Sequence, residues 1–230
     1  MFYYVNTVFN VLNQMSPLLI GFHSAGSIQG IGCGRGVAAL ARGRAGVELV
    51  DTRQPATLRS KTLLAFPALG DATAVDVLGD LVVAGFSSGN LVFIDANVGV
   101  SLPAVLVPGA RAISGLCIRG SRVFAVLYRT LAVVSLTSYT VTHTLSLSHT
   151  ALNLFCGVDK AIVTHSRGFD VVSFAAAVPA LLGQGTTSQR FRNTIMASAN
   201  VILAAAGPTL SGSRVQMYNL TDPRLVNTYE

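Results

Sequence analysis

The chain is poor in charged residues and has no tryptophan at all. Charged residues account for 11% of its 230 residues, whereas hydrophobic residues account for 51%. A free-standing surface usually carries more charge, so this composition favours strands buried on both faces or a surface covered by partners. Lysine occurs only as Lys61 and Lys160, and arginine therefore supplies most of the formal net charge of +6. A basic domain suits an anionic membrane, nucleic acid or an acidic protein.

Cysteine is also scarce, with three widely spaced residues at Cys33, Cys117 and Cys156. None belongs to a C-x-x-C pair, which excludes the usual sequence pattern of zinc sites and redox motifs. Cys117 and Cys156 lie in apolar runs, where a thiol behaves as a small hydrophobic side chain. We therefore expect buried free thiols and a reducing compartment.

One pattern recurs along the chain with a period of about 40 residues. It is clearest in Leu81–Asp95, where an apolar run, a Gly/Ser/Asn turn and a second apolar run ending in Asp follow one another. Related segments are Val37–Asp51, Val123–Ser135, Ala161–Ser173 and Val201–Asn219. Two hairpin strands in each repeat of this length are typical of a β-propeller blade. The sequence predicts an all-β propeller domain over residues 1–230, with five four-stranded blades in residues 27–230, either a small ring or part of a seven-bladed one.

The remaining segments show little helical pattern and no typical export signal. Ala175–Leu182 is the one helix candidate, and Pro179 weakens it. Residues 1–26 are apolar but carry no basic region ahead of the apolar runs, which is typical neither of a signal peptide nor of a membrane span. We expect an irregular N-terminal segment or a strand that closes the last blade, with a remnant of a lost blade as the alternative. A cytoplasmic protein without a transmembrane segment follows.

The string Gly85–Gly89 matches the G-x-S-x-G nucleophile elbow and makes Ser87 a candidate nucleophile. That elbow needs a strand before the serine and a helix after it. Here a second strand follows at once, so a tight hairpin turn is favoured. The glycine-rich segment Gly30–Gly36 fails the spacing of both dinucleotide-binding and phosphate-binding loops. We interpret these glycines as positions where inner strands pack closely.

The histidines and carboxylates form no catalytic or metal-binding motif. The four histidines are scattered, without H-x-H or H-x-x-x-H pairs, so we expect satisfied or exposed turn residues rather than metal ligands. Asp51 and Asp95 recur at matching places after a third strand, which indicates a role in capping turns. We expect no cofactor, no metal and no catalytic residues.

Arginine is the residue type that could carry a binding function, because its guanidinium suits bidentate contact with phosphate. Arg35, Arg42 and Arg44 belong to the first repeat, and Arg190, Arg192 and Arg214 belong to the fifth. In a closed ring these two groups would share a rim, while scattered solvated arginines remain the alternative. Aromatic residues for stacking bases are not interleaved with them, so nucleic acid is not an expected partner.

The repeat as a whole resembles the divergent WD40-like propellers, although the Gly-His and Trp-Asp signatures are missing. The segment Arg122–Leu145 resembles a blade of the PROPPIN family, the phosphoinositide-binding propellers of autophagy, and His143-Thr144 falls in place. The fifth repeat adds Ser213-Arg214-Val215, similar to a hairpin motif of that family. The Phe-Arg-Arg-Gly motif of the family is absent.

The resemblance implies a non-catalytic scaffold recruited to phosphoinositide-containing membranes. Its phosphate contacts would include Ser213 and Arg214, to which the arginine pattern adds Arg190 and Arg192. The alternative is a protein–protein interaction subunit of a larger complex that binds no lipid. A hydrolase using Ser87 is the third hypothesis. The expected partners are therefore proteins or an anionic phosphoinositide membrane.

Overall fold

The computed structural model describes residues 4–10, 18–34, 36–186, 191–198, 201–209, 212–219 and 225–229. The chain divides into two compact units, residues 1–112 (unit 1) and 113–230 (unit 2). Both units are built from antiparallel sheets. The helices among the described residues are the 3-10 turns Pro55–Thr57 and Pro67–Leu69. Neither has the length or apolar character needed to cross a membrane.

Unit 1 contains a hairpin and two larger sheets. The hairpin pairs β1 (Tyr4–Asn10) with β2 (Leu18–Ala25), where the sequence predicts an irregular segment or a closing strand. Sheet I has the strand order β3-β4-β5-β6, and sheet II has the order β7-β8-β9 followed by a divided outer strand. The strands are β3 (Gly30–Cys33), β4 (Val37–Ala41), β5 (Val47–Asp51), β6 (Arg59–Leu64), β7 (Ala72–Leu78), β8 (Leu81–Phe86), β9 (Asn90–Asp95), β10 (Val100–Ser101) and β11 (Val105–Leu106).

Unit 2 contains three four-stranded sheets in sequential strand order, sheets III, IV and V. Sheet III has β12 (Ile113–Arg119), β13 (Arg122–Leu127), β14 (Thr130–Ser135) and β15 (Thr140–Ser146); sheet IV has β16 (Ala151–Cys156), β17 (Lys160–His165), β18 (Gly168–Ser173) and β19 (Ala180–Thr186). Sheet V has β20 (Phe191–Ser198), β21 (Val201–Thr209), β22 (Gly212–Asn219) and β23 (Leu225–Tyr229). The five predicted repeats are therefore five sheets. The helix candidate Ala175–Leu182 is wrong, because residues 175–178 form a bend and β19 begins at Ala180, just after Pro179.

The middle strands are apolar along their whole length because both of their faces are covered. In sheet I, Ala39 and Ala41 belong to the core shared with sheet II, while Leu40 packs with Ala25 of β2 on the opposite face. Unit 2 repeats this arrangement, since Phe124 and Val133 of sheet III share a core with residues of sheet IV. Two-sided burial explains why these runs lack the alternation of a half-exposed strand.

Glycines allow the first strands of neighbouring sheets to approach each other closely. A Cβ atom on Gly32 of β3 would lie 2.7 Å from the Cα of Asp76 on β7. In unit 2, a Cβ atom on Gly115 of β12 would lie 2.6 Å from the backbone nitrogen of Leu154 on β16. The interpretation of Gly30–Gly36 as a close-packing segment is confirmed for β3, and it extends to unit 2 at Gly115.

In sheets I to IV, the last residue of the third strand caps the turn that follows it. Asp51 and Asp95 accept a hydrogen bond from the backbone N–H two residues later, at 2.9 and 2.8 Å. Ser135 and Ser173 do the same in sheets III and IV through their hydroxyl oxygens, at 3.1 and 3.3 Å. The predicted capping role of the two aspartates is confirmed, and the serines fill it in unit 2.

The expectation of free buried thiols is wrong for two of the three cysteines. Cys117 on β12 and Cys156 on β16 form a disulfide, with their Cα atoms 6.2 Å apart. Close packing of these strands around Gly115 brings the two residues to a separation that a disulfide can bridge. Cys33 is free and exposed, and partial desolvation of its thiol, with a contribution from Asp76, raises its thiol pKa. The inference of a reducing compartment from unpaired cysteines therefore loses its basis.

Candidate functional site

The predicted phosphate contacts fall on sheet V or beside it. Arg190 lies outside the described residues, and the backbone alone is described for Arg192, Ser213 and Arg214. Arg214 pairs with Ala206, which pairs in turn with Phe191, so Arg192 and Arg214 lie at the same end of the sheet on β20 and β22. Their role in binding phosphate stays a prediction.

The arginines of the first repeat are not all available to bind an external phosphate. Arg42 donates a 2.7 Å hydrogen bond to the buried carboxylate of Glu48, to which the ring of His23 is also hydrogen-bonded at 3.0 Å. Burial would raise the pKa of Glu48, but hydrogen bonds from Ser60 and His23 and the charge of Arg42 outweigh burial and lower it. Arg42 therefore serves a structural ion pair rather than an external phosphate, whereas Arg44 is exposed.

Ser87 lies in the hairpin turn between β8 and β9, with Gly89 in the left-handed region at φ +86°. Its Oγ accepts a 2.9 Å hydrogen bond from the backbone N–H of Asp71. The hydroxyl thus supports the turn structurally, and a strand follows it where a nucleophile elbow needs a helix. The prediction of a hairpin turn is confirmed.

A second charged pair lies at the surface of sheet I. The guanidinium of Arg53 donates to both carboxylate oxygens of Asp51. The side-chain and backbone hydrogen bonds from Arg53 lower the pKa of Asp51 to about 2. Both side chains line an open cavity of about 440 Å³ together with Gln54, Thr57 and Arg59. The charges of Asp51 and Arg53 cancel each other. Arg59 is therefore the side chain of this lining whose positive charge has no counterpart within the lining.

A cluster of polar side chains lies in sheet IV and in the β15–β16 connection that leads into it. The histidine cluster consists of Ser148, His149, His165, Asp170 and Gln184. The rings of His149 and His165 stack with centroids 4.3 Å apart and planes inclined by 17°. Asp170 and His165 are 0% and 2% exposed, so a carboxylate and an imidazole are enclosed together.

Asp170 is incompletely satisfied inside this cluster. Its Oδ1 accepts from the amide Nε2 of Gln184 at 2.8 Å and lies 3.5 Å from Nε2 of His165. Its Oδ2 and the Nε2 of His165 are buried without a hydrogen-bond partner among the described residues. Buried polar groups are normally paired, so a cluster of this kind is sensitive to any change in charge.

The cluster does not have the geometry of a hydrolytic triad. Ser148 Oγ is 2.8 Å from Nδ1 of the adjacent His149, but Asp170 faces Ser148 and His165 rather than His149. A triad needs a carboxylate that orients the base. The described residues also contain no group of three metal-ligating side chains placed to hold an ion.

Apolar side chains are exposed along the outer edges of two sheets. In sheet II, the split edge consists of Val98, Val100, Leu102 and Leu106, with exposed fractions of 69%, 57%, 38% and 58%. In sheet IV, Leu181 and Leu182 of β19 are 43% and 53% exposed, and Val178 precedes them. Grouped apolar exposure of this kind marks surfaces that contact other molecules.

No protein-family model matches the chain, and no curated protein sequence matches it. Solved structures do. The WD40 repeats of RRP9 are similar over 89% of this chain and 63% of that one, with 12% identity and a TM-score of 0.74. The WD40 β-propeller domain of Doa1 is similar over 88% and 68%, with 9% identity and a TM-score of 0.69. The computationally designed Ika8 protein is similar over 92% and 64%, with 13% identity and a TM-score of 0.71.

The fold is that of a β-propeller. Because the identities are this low, the similarity shows the fold and nothing more. Each of the five sheets corresponds to a blade of this fold. The chain spans a little under two thirds of the RRP9 and Ika8 chains.

Sequence reasoning missed the histidine cluster because its members come from four segments, the β15–β16 connection and the strands β17, β18 and β19. His165 ends β17 and Asp170 is the third residue of β18, a spacing that resembles no ligand or catalytic motif. The pairing of β16 with β17 places Ala151 opposite His165 and so brings His149 over His165, while the pairing of β17 with β18 brings Asp170 near. A Ser-His dipeptide just before a predicted first strand is the one signal that could have drawn attention to it.

Proposed function

We propose that this protein is a non-catalytic propeller that acts as a protein–protein interaction subunit. The observation that carries the proposal is the split edge, where four apolar side chains between residues 98 and 106 stand exposed on an otherwise well-packed blade. Charged residues make up 11% of the chain, so it has few charged side chains to surround an apolar patch. Exposing this edge to water is unfavourable unless a partner covers it. The likeness to WD40 propellers is consistent with this role.

The test replaces the edge with charge. In the Val100→Lys plus Leu106→Lys variant, both substitutions lie on exposed positions of the outer strand, so the fold should persist. The matched control is Val158→Lys, because Val158 is an exposed valine in a turn of another blade. Tagged wild type, variant and control are used to recover bound proteins, which are quantified by mass spectrometry.

We expect a partner that wild type and control recover equally and that the edge variant recovers at least about tenfold less, a loss near 1.4 kcal/mol. Equal recovery by all three chains, each shown to be folded by circular dichroism, would contradict the proposal. The proposal includes a cytoplasmic location and a single-domain organisation over residues 1–230.

Membrane recruitment through phosphoinositides is the second candidate. The observation that favours it is the register of sheet V. Arg192 and Arg214 lie at one end of this sheet, as a site for two phosphate groups would need. Liposome flotation with and without phosphatidylinositol phosphates tests this hypothesis. Flotation that requires the phosphorylated lipid and is lost in Arg214→Ala plus Arg190→Ala would support it. Binding that the double variant leaves unchanged would contradict it.

A further inference from the structure

One end of sheet III forms a row of arginine and hydroxyl residues. Arg119 of β12 pairs with Arg122 of β13, which pairs in turn with Ser135 of β14. Thr140 of β15 completes the row opposite Ser135. No aspartate or glutamate occurs between residues 96 and 158, so the charged side chains of sheet III are all positive. We propose that this end of sheet III binds a phosphate group in the cavity beside Arg122.

The cavity is open, has a volume of about 290 Å³ and combines sheet III with the connection between β18 and β19. Its lining contains one guanidinium, one imidazole and three hydroxyl groups, and it contains no carboxylate. The lining residues are Ser121, Arg122, Ser135, Thr142, His143, Ala175, Ala176 and Ala177. The cavity of sheet I differs in this respect, because Asp51 lies among its arginines. A cavity of this size suits a compact ligand, and this lining suits an anion.

Arg122 is held in place without being neutralised. Its Nη2 donates to the carbonyl oxygen of Phe174 at 2.8 Å, and its Nη1 donates to those of Ala176 and Ala177 at 3.0 and 3.3 Å. Its guanidinium carbon lies 5.3 Å from the ring centroid of Phe124. Within the described ranges of the chain, no carboxylate forms an ion pair with Arg122. The three hydrogen bonds do not use Nε, which is therefore left to donate to a ligand.

The carboxylate of the neighbouring turn does not supply the missing negative charge. Asp159 lies between β16 and β17, and its backbone carbonyl oxygen accepts from the N–H of Phe174. Its side chain pairs with Lys160 instead, at 3.6 Å. A half-buried guanidinium without an anion is electrostatically unfavourable. Phosphate oxygens match the planar fork of a guanidinium, so a phosphate group would both neutralise Arg122 and bond to it.

The remaining polar groups of the lining can add donors. Ser135 Oγ accepts from the backbone N–H groups of Thr137 and Ser138 at 3.1 and 3.2 Å, so its own proton remains available. Nδ1 of His143 is buried without a hydrogen-bond partner in the described part of the chain, so a ligand would meet this ring through Nε2. Together with Arg122 these groups exceed what the two oxygens of a carboxylate need. They favour a phosphate group, which has three acceptor oxygens.

This site differs from both binding regions considered above. The phosphate contacts predicted from the sequence lie on sheet V or beside it, and the split edge belongs to unit 1. The proposal therefore does not depend on the protein-binding role. A failed phosphate titration would leave that role unaffected, and loss of the split-edge partner would leave this site unaffected.

Titration of the full chain with inorganic phosphate tests the proposal, followed by backbone amide NMR at an ionic strength kept constant with sodium chloride. We expect saturable shifts at residues 121–122, 135 and 142–143, with a Kd of about 1 mM for a few charge-assisted hydrogen bonds in an open cavity. Arg122→Gln should weaken binding at least about tenfold, because it removes the cation. The matched control is Arg119→Gln. Arg119 lies in the same row and donates to the carbonyl oxygens of Cys156 and Gly157, but it does not line the cavity. This control should bind phosphate like the wild type.

Ala176→Glu is the second variant if Arg122→Gln does not fold. Ala176 is exposed, so the longer side chain is compatible with the fold, and its carboxylate in the lining should abolish saturation. Two further probes identify the source of the phosphate group. Tighter binding of glycerol 3-phosphate than of inorganic phosphate would assign the site to a soluble ester. Flotation with vesicles of phosphatidylcholine and phosphatidylinositol 4-phosphate that Arg122→Gln abolishes would assign it to a lipid headgroup.

The proposal is overturned if the shifts of the wild type do not saturate with inorganic phosphate. It is also overturned if Arg122→Gln or Ala176→Glu keeps the wild-type affinity. A loss in Arg119→Gln as large as that in Arg122→Gln would overturn it too, because binding would then follow the overall charge rather than this cavity.

Discussion

Neighbouring sheets pack through the same kind of glycine contact in both units, and unit 2 adds a disulfide beside it. In each, a glycine of a first strand packs against the next first strand at an Asp or Asn, Gly32 on Asp76 in unit 1 and Gly115 on Asn153 in unit 2. Both of these side chains accept the backbone N–H of the following residue at 2.8 Å. The repeated contact therefore sets the spacing and register of neighbouring blades.

The difference follows a few residues later. Unit 2 has the Cys117–Cys156 disulfide, two residues after its glycine and three after its asparagine. At the corresponding positions unit 1 has Gly34 and Gly79, where a Cβ atom on Gly34 would lie 2.4 Å from Val77 Cγ1. A side chain at Gly34 would therefore require Val77 to move, and Gly79 lies in the left-handed region at φ +59°. Covalent linkage is a local addition in unit 2 to a packing scheme that works without it in unit 1.

The largest effect should come from removing the disulfide. Cys117→Ala plus Cys156→Ala should lower the free energy of unfolding of unit 2 by about 3 kcal/mol, because the unfolded chain regains the freedom of the closed loop. Hydrogen exchange under mild denaturant should show loss of protection in β12 and β16 but not in β3 and β7. Cys33→Ala is the control, since Cys33 is free and exposed. Equal protection in the double variant and the wild type would show that the bond is dispensable in unit 2.

The shared glycine contact should be equally important in both units. Gly32→Ala and Gly115→Ala each place a Cβ atom inside the contact distance of the facing backbone, and each should cost about 2 kcal/mol of unfolding free energy by urea titration. Ile31→Ala is the control next to Gly32, because Ile31 is exposed. A large loss for one glycine and none for the other would break the equivalence of the two interfaces.

A smaller effect should separate the two buried carboxylates. Glu48 has Arg42, His23 and Ser60 as partners, whereas Asp170 has an unpaired oxygen and a neutral amide donor. Glu48→Gln should therefore cost about 1 to 2 kcal/mol, since it leaves Arg42 without its anion. Asp170→Asn should change unfolding free energy by less than about 0.5 kcal/mol, because it removes an uncompensated charge. The opposite order in thermal unfolding would refute this assignment.

Glu48 and His149 also give the units different pH windows. The pKa of Glu48 is lowered, so its contribution is complete above the ordinary value of about 4.3 and is lost as pH falls through the depressed one. Desolvation lowers the pKa of His149 in unit 2, so its contribution is complete above the ordinary value of about 6.5 and is lost as pH falls below it. Acidification should thus affect unit 2 before unit 1, which residue-resolved exchange between about pH 7 and about pH 4 would detect.

The smallest effect should come from the turn caps. Asp95→Ala and Ser135→Ala each remove one exposed hydrogen-bond acceptor of the turn and should cost about 0.5 kcal/mol. Similar values for both would establish that Asp and Ser are interchangeable at the end of the third strand. A cost for one alone, measured by thermal unfolding, would limit the capping role to that unit.

The strands and their order could be predicted from the sequence because they depend on local patterns. Apolar runs such as Leu81–Phe86 and Asn90–Asp95 sit on either side of a turn signal, and their two-sided burial leaves the runs uninterrupted. The divided strand after Asp95 was harder to predict from the sequence, because its two short pieces pair with opposite ends of β9.

The disulfide and the histidine cluster could not be predicted because they depend on contacts between strands far apart in sequence. Cys117 and Cys156 are separated by 39 residues, about one repeat, so the period itself hinted at their proximity. The period does not give the relative register of neighbouring sheets, which the contact between Gly115 and Asn153 helps to set. His149 and His165 likewise meet through the return of the chain into the fourth blade. The role of Ser213 and Arg214 stays a prediction.

The divided outer strand of sheet II also bears on the solubility of this apolar chain. β10 and β11 are two residues each, and Pro103 lies between them. A long, continuous edge would offer a template on which a second copy could add a strand and begin aggregation. The interruption removes that template while leaving Val100 and Leu106 exposed. Any molecule that engages this edge must therefore recognise it through side chains rather than by extending the sheet, which favours a folded partner over an extended peptide.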